Sequence, residues 1–116
     1  MRSFYEIVLH EAKERLHYLE NYPKHIKRIK SRAKKILGDV KVIVFGSIVK
    51  GEYTPMSDID ILIISENIPS NIIEQAEIKA KLLKGFKPGI FQIHLVKNEE
   101  YTNWYRNFIK GDQIEF

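Results

Sequence analysis

The stretch of sequence that decides the fold spans residues 42–65 and reads VIVFGSIVKGEYTPMSDIDILIIS. It contains two apolar runs of strand length, the first ending in Gly46-Ser47 and the second beginning with Asp58-x-Asp60. Alternate side chains of a strand point to the same face, so this spacing predicts that the two carboxylates lie side by side. The link between the runs is short, so we expect antiparallel neighbouring strands with Gly46 and Ser47 facing the acidic pair.

Two carboxylates fixed together at the head of a buried strand repel each other and are costly unless a cation neutralises them. Mg²⁺, or Mn²⁺ in its place, prefers oxygen ligands and is usually held by one or two carboxylates together with substrate phosphates. We therefore expect Asp58 and Asp60 to be metal ligands and the substrate to carry phosphates. The alternative is that Asp58 caps a turn and Asp60 begins a strand, with no ligand bound.

The Gly-Ser pair supplies the other half of the expected site. Because Gly46 has no Cβ, it can leave the strand at an unusual φ and lets a ligand approach the backbone closely. If Ser47 opens a short helix that continues to Lys50, its hydroxyl and the free N–H groups beside it form a small anion site. Lys50 would then neutralise part of the charge of the bound phosphates.

The composition is that of an ordinary globular domain. The chain has 116 residues, 44% hydrophobic and 29% charged, which fits one domain over residues 1–116. It has no cysteine, no apolar run of membrane-spanning length and no signal-peptide pattern, so we expect a cytoplasmic protein without a membrane segment. A net charge of +4 permits nucleotide or nucleic-acid partners without requiring them.

The N-terminal part, residues 3–37, has apolar residues at helical spacing. Pro23 interrupts this pattern, so the region is either two helices or one long helix that is kinked there. The other predicted helices are 71–84, ended by glycine and proline, and 98–110. The expected buried positions include Phe4, Ile7 and Val8 in the first helix, Ile72 and Ile73 in the later one, and an aromatic stripe of Tyr101, Trp104, Tyr105 and Phe108.

A third strand is predicted over residues 90–96, so that the sheet-bearing core spans 40–96. The predicted fold class is α/β (α+β), with a small mixed three-stranded sheet flanked by helices. The aromatic stripe is more typical of core packing than of base stacking, which is the alternative for it. The histidines of the N-terminal part are expected at the surface. These histidines are His10, His17 and His25.

One face of the helix that precedes the core is strongly basic. It is either a solvated surface or a surface that contacts phosphates of a nucleic acid or nucleotide. No aromatic residues are interleaved for base stacking, so sequence-specific RNA binding is not favoured. The basic residues are Lys24, Lys27, Arg28, Lys30, Arg32, Lys34 and Lys35.

These motifs resemble the minimal nucleotidyltransferases of the DNA polymerase beta superfamily. The resemblance lies in Phe45-Gly46-Ser47, ten residues from 48 to 57, and then Asp58-Ile59-Asp60-Ile61. It implies a nucleotidyltransferase fold and an enzyme that transfers a nucleoside monophosphate, AMP from ATP, to an acceptor hydroxyl. It also implies that Gly46, Ser47 and Lys50 bind the nucleotide, and that a second Mg²⁺ activates the attacking hydroxyl.

The family's third acidic residue, on the next strand, is missing. Its best match is Gln92, which has the shape of glutamate but no charge, and cannot accept a proton at neutral pH. His94, on the same face, is a candidate general base or additional ligand. The expected catalytic residues are thus Asp58, Asp60, Gln92 and His94, and nucleotide binding is expected to be more secure than turnover.

The resemblance also implies a partner protein. In minimal pairs of this kind the acceptor is a tyrosine of a HEPN-domain toxin, and the nucleotidyltransferase is the antitoxin. The alternative is a degenerate module that binds nucleotide or its partner without transfer, and a third hypothesis is nucleic-acid binding through the basic helix face. The sequence leaves a homo-oligomer open.

Overall fold

The computed structural model describes residues 2–109 and 111–116. The predicted end of the last helix at Lys110 therefore lies outside the described residues, as does Met1. The side chains of Trp104 and Phe108, two members of the predicted aromatic stripe, are also outside the described part.

Two separate helices form the N-terminal part. Helix α1 is Phe4–Glu20, and its N-cap Ser3 accepts a hydrogen bond from the backbone N–H of Glu6 at 3.2 Å. Helix α2 is Tyr22–Leu37, with Pro23 in its first turn, where a missing N–H removes no helical hydrogen bond. The chain is thus divided before Pro23 rather than kinked at it.

The sheet has the order β3-β2-β1-β4. Its strands are β1 Lys41–Phe45, β2 Ile59–Ile64, β3 Phe91–Val96 and β4 Gln113–Glu115. Strands β1 and β2 are antiparallel and β2 and β3 parallel, which confirms the predicted mixed sheet and the predicted neighbours. The edge strand β4 is an addition to the three expected strands, since a three-residue strand is too short to show an alternation of apolar residues.

The remaining helical elements connect these strands. Helix α3, Ser47–Lys50, follows β1, and helix α4, Ile72–Leu83, makes the crossover between the parallel strands. The predicted single helix after β3 is instead three short elements: α5 Asn98–Glu100, a π-helical turn Tyr101–Tyr105, and α6 Arg106–Phe108. No helix in the described part of the chain is both long and apolar enough to cross a membrane.

The two faces of the sheet are covered differently. One face packs against α1, α2 and α4 and forms the larger core, in which Ile59, Ile61 and Ile63 of β2 are fully buried. The other face carries a smaller apolar cluster around Leu62, against which Tyr105 and the C-terminal helical segment pack. Polar side chains at one end of this second face are therefore half-exposed.

Several expected core positions are exposed instead. In α1, Phe4, Ile7 and Val8 are 82%, 52% and 49% exposed, because contact with the core begins only at the second half of the helix, where Arg15 and Leu19 are buried. In the first turn of α4, Ile72 and Ile73 are also exposed, since that helix is buried at Leu82 in its last turn. Apolar spacing identifies the helices but not which of their turns reach the sheet.

His25 differs from the surface position expected for it. Its ring lies 4.8 Å from the ring of Tyr18 and 5.4 Å from that of Phe86, and its Nε2 atom is buried without a hydrogen-bond partner in the described structure. Burial lowers the pKa of His25, and the neighbouring charges of Lys24 and Arg28 lower it further. The ring is therefore a neutral member of an aromatic cluster.

Candidate functional site

The structure brings the ends of three strands together at the predicted site. Asp60 on β2 lies opposite Phe45 on β1 and opposite Gln92 on β3 in the strand register. Gly46 follows Phe45 directly, so the Gly-Ser turn, Asp60 and Gln92 occupy neighbouring positions at one end of the sheet. Gln92 therefore lies beside Asp60, and its match to the third acidic position of the family stays a prediction.

Gly46 lies against the Asp60 carboxylate. It adopts a φ of +91°, a conformation that side chains rarely permit, and a Cβ atom built on it would lie 2.9 Å from Oδ2 of Asp60. The absence of a side chain thus allows the Asp60 carboxylate to pack directly against the backbone of residue 46. Only glycine satisfies both the backbone conformation and the clearance at this position.

Ser47 begins the short helix α3, as expected from the sequence. The helix ends at Gly51, whose left-handed backbone has a φ of +75°. Lys50 lies in its last turn with an exposed side chain. The chain therefore turns sharply after β1, and the role of Lys50 in binding phosphates stays a prediction.

Asp58 lies just before β2, with its side chain 47% exposed. The turn that precedes it is closed by other groups: Ser57 N–H donates to the Thr54 carbonyl at 3.0 Å, and Thr54 N–H donates to Ser57 Oγ at 2.9 Å. Asp58 is thus not needed to form the turn, which weakens the alternative that it is a turn-forming aspartate. Its carboxylate instead meets Arg15, with Oδ1 at 3.3 Å from Nη2.

Asp60 is the more buried of the two acids, with its side chain 35% exposed, and its Oδ1 atom lies 3.9 Å from Nε2 of His94. Burial raises the pKa of the Asp60 carboxyl; His94 opposes this effect, and the negative charge of Asp58 adds to it. Asp60 therefore carries a charge that its surroundings do not fully compensate. A bound cation would supply the missing compensation.

His94 occupies the same half-exposed face as Asp60. Its ring centroid lies 5.9 Å from that of Phe45 and 6.1 Å from that of Tyr105. The imidazole thus lies next to two aromatic rings, with Nε2 3.9 Å from Oδ1 of Asp60. The arrangement suits a group that holds or moves a proton close to this carboxylate.

The residues present fit a divalent cation of the magnesium type. Asp58 and Asp60 offer carboxylate oxygens, their side chains are 47% and 35% exposed, and the Asp60 charge is under-compensated. Within the described residues, no group of three or more histidine and acidic side chains is arranged to hold a metal ion. A cation held here would therefore depend on phosphate oxygens and water for its remaining ligands.

Arg15, which the sequence reasoning missed, also belongs to this region. It lies in α1, far from the motif in sequence, and is only 6% exposed. A signal was present, because Arg15 falls at helical spacing between Ala12 and Leu19 on the apolar side of the helix. A charged residue at such a position requires partners, and these can be identified only from the tertiary structure.

The basic face of α2 is not part of this candidate site. Arg28 and Arg32 lie over the Phe86 ring, and Arg32 also donates to the carbonyls of Leu82 and Lys84.

A cavity of about 520 Å³ lies between part of the basic face of α2 and the end of β4. Its lining residues are Lys27, Lys30, Ser31, Lys34, Glu115 and Phe116. Because Phe116 N–H bonds Val42 at the start of β1, this cavity is at the opposite end of that strand from Gly46.

Comparisons with known proteins agree on one family. The model of the nucleotidyltransferase domain matches residues 23–109. A crystal structure described as a "putative nucleotidyltransferase" is 28% identical with a TM-score of 0.63, covering 79% of this chain and 97% of that chain. A second one, from Sulfolobus solfataricus and described in the same words, is 19% identical with a TM-score of 0.56 over 91% of this chain and 86% of that chain, and shows the fold alone. Among curated proteins no match was found.

Proposed function

This chain belongs to the nucleotidyltransferase domain family, and on that premise we propose that it transfers AMP from ATP to a hydroxyl group of a partner protein in the cytoplasm. Nucleotidyl transfer is the general activity of the family, and the chain is a transferase of this type. The donor base, the metal and the acceptor are the parts that we add.

One observation carries the proposal: the Asp60 carboxylate, packed against Gly46 at an open end of the sheet, has a negative charge that its surroundings do not fully compensate. A Cβ at residue 46 would lie 2.9 Å from Oδ2 of Asp60, and burial raises the pKa of that acid. Because the Asp60 side chain is still 35% exposed, its charge is accessible to a cation that arrives with its own phosphate ligands. The site thus supports binding of a nucleoside triphosphate complexed with Mg²⁺ or Mn²⁺.

Each residue has a separate role in the proposed reaction. Asp58 and Asp60 would hold the cation, which when bound lowers the charge on the triphosphate and on the transition state. The Gly46-Ser47 turn and Lys50 would position the phosphates. The acceptor oxygen forms a bond to the α-phosphorus, the bond from that phosphorus to the bridging oxygen breaks, and pyrophosphate leaves. The hydroxyl proton passes to His94 or to water.

The acceptor that we propose is a tyrosine hydroxyl of a HEPN-type partner, with this chain acting as its antitoxin. An exposed apolar surface on the first half of α1 supports a protein partner, since surfaces of this kind mark interaction sites. It consists of Phe4, Tyr5, Ile7, Val8 and Leu9. This surface lies outside residues 23–109, so it is separate from the part that the family model matches.

The test is an incubation of the protein with ATP labelled in the adenine or the α-phosphate, Mg²⁺, and a candidate HEPN partner. We expect label on the partner and stoichiometric pyrophosphate, and loss of both with Asp58→Asn or Asp60→Asn. Comparing the label transferred from other triphosphates in competition with ATP would establish which base the protein prefers. No labelling of partner together with no binding of any triphosphate would contradict the proposal.

A second candidate function is favoured by Gln92. This neutral residue lies opposite Asp60, where a third acidic ligand would complete a two-metal site. The chain would then bind nucleotide or its partner without transfer. An inactive natural chain that binds ATP with Mg²⁺, together with an active Gln92→Glu variant, would establish this second function.

A further inference from the structure

Arg15 connects α1 to the two loops that lead into the site strands. Its Nε donates to the Pro55 carbonyl at 2.8 Å, and its Nη2 donates to the Ser57 carbonyl at 2.9 Å. Its Nη1 donates to the Gly89 carbonyl at 3.2 Å. The same Nη2 also reaches Oδ1 of Asp58 at 3.3 Å. One guanidinium group therefore joins the loop before β2, the turn before β3 and one acidic side chain of the site.

The backbone on both sides of Asp58 is fixed by these contacts and by the sheet. Arg15 binds the carbonyls of Pro55 and Ser57 on the N-terminal side, and Ile59 N–H donates to the Ile90 carbonyl at 2.8 Å on the C-terminal side. The Asp58 side chain would otherwise be free to rotate, because it is 47% exposed. The Arg15 side chain itself is only 8% exposed, so its planar fork is held by packing.

We propose that Arg15 is a positioning residue for Asp58 that sets the affinity of the site for the cation and triphosphate. This inference rests on the proposed function and adds a residue to it. By binding Oδ1, Arg15 holds the carboxylate in one orientation before the cation arrives, so less ordering is required on binding. Arg15 lies in α1, before the residues 23–109 that the family model matches.

If Arg15 only stabilised the fold, its replacement would lower stability without changing the affinity for the cation and triphosphate. Arg32 provides the comparison, because it also donates to two backbone carbonyls, those of Leu82 and Lys84, at 2.9 and 2.8 Å. It lies on α2 and contacts no residue of the site. Lysine at either position keeps the positive charge but loses the fork that binds several oxygens at once. Arg32→Lys is therefore a matched control for loss of stability without loss of positioning.

The experiment compares the natural chain, Arg15→Lys, Arg15→Gln and Arg32→Lys. Binding of Mn²⁺ with α,β-methylene-ATP, whose α–β bond cannot be cleaved, is measured calorimetrically at a temperature well below each unfolding midpoint. We expect the Kd to rise about 10–100-fold in both Arg15 variants, the usual cost of losing a residue that orients a metal ligand, and to stay unchanged in Arg32→Lys. Thermal unfolding without ligand is measured in parallel.

The outcomes separate the hypotheses. Equal Kd values for the natural chain and a folded Arg15 variant would overturn the positioning role, as would an equal rise in Arg32→Lys. If both Arg15 variants are unfolded, Arg15 is a structural residue and the proposal is rejected. Failure of the natural chain to bind Mn²⁺ with the analogue would instead reject the proposed function itself.

Discussion

Gly46 and Asp60 approach each other so closely that a Cβ atom on residue 46 would lie 2.9 Å from Oδ2 of Asp60. The relationship joins the end of β1 to the start of β2, because Asp60 lies opposite Phe45 in the antiparallel register. The backbone of Gly46 and the carboxylate of Asp60 together form one side of the candidate site. Changes at either residue should therefore affect ligand binding as well as folding.

Gly46→Ala should lower the affinity for Mn²⁺ with a triphosphate by at least about tenfold, since the new methyl group displaces the carboxylate that holds the cation. It should also lower the free energy of unfolding by about 1–3 kcal/mol, because alanine is strained at positive φ. Calorimetric titration and urea unfolding measure the two effects.

Gly51→Ala is the matched control: its φ is +75°, but nothing lies within 4 Å of its Cβ position. We expect a smaller loss of stability there, because Gly51 lies in the left-handed helical region with a ψ of +11°, and no change in affinity. Equal affinities of the two variants would show that contact with Asp60 is irrelevant to binding.

Asp60→Asn should change how stability depends on pH when no metal is present. The folded-state pKa of Asp60 lies above its ordinary value of 3.8. Between that value and the higher folded-state pKa, the folded state binds more protons, so the free energy of unfolding falls as pH rises through this window. The asparagine variant lacks this contribution, and urea unfolding from acidic to neutral pH should show a smaller fall. The exposed Asp39 provides the control, because Asp39→Asn should follow the natural curve. A natural chain that gains stability relative to Asp60→Asn as pH rises would contradict the sign of the shift.

Gln92→Glu should increase the rate of transfer about 10–100-fold at saturating ATP, because it restores a charged ligand and a proton acceptor opposite Asp60. The measurement is pyrophosphate release in the presence of an acceptor, as a function of Mg²⁺ concentration. Gln75→Glu, on α4, adds the same charge at a position where the amide bonds the Pro69 carbonyl. It should leave the rate unchanged. An equal rate for Gln92→Glu and the natural chain would show that the missing acid does not limit turnover.

Replacing both Phe4 and Tyr5 by serine should change the free energy of unfolding by no more than about 1 kcal/mol, because exposed positions usually contribute little. These side chains are 82% and 72% exposed. Leu19→Ala in the same helix should cost about 2–5 kcal/mol, since Leu19 is 1% exposed and its loss leaves a cavity. Urea unfolding of the three proteins checks both values. A large loss in the serine variant would mean that the first turns of α1 pack against the domain. If they do not pack, the same variant should weaken binding of the partner.

Local chemistry was sufficient to predict most of the elements. Ser3 as an N-cap, Gly38 as a helix end and the two strands around the Gly-Ser turn are all confirmed. The helix ends depend on hydrogen bonds and conformations within a few residues, and the two strands are marked by continuous apolar runs. The short strand β4 could not be predicted, because its only support is its pairing with β1.

The predicted buried faces were less accurate. Ile72 and Ile73 occur at helical spacing and were expected in the core, but they are exposed. Spacing reports which residues share a helix face, and the direction of that face depends on where the helix meets the sheet. The same reasoning explains why His25 was expected at the surface although its ring packs among aromatic residues.

The sequence by itself determined the pair of acids and the glycine facing them, since these follow from residue type and spacing along strands. Gln92 was assigned to the third position by the resemblance to the nucleotidyltransferases. Only the tertiary structure decided that Oδ1 of Asp58 contacts Arg15, 43 residues earlier in the chain, and that Asp60 faces His94. The physical reason is that charged side chains interact with the groups that are close to them in space, and these distances are set only when the helices have packed on the sheet. No local pattern specifies these distances.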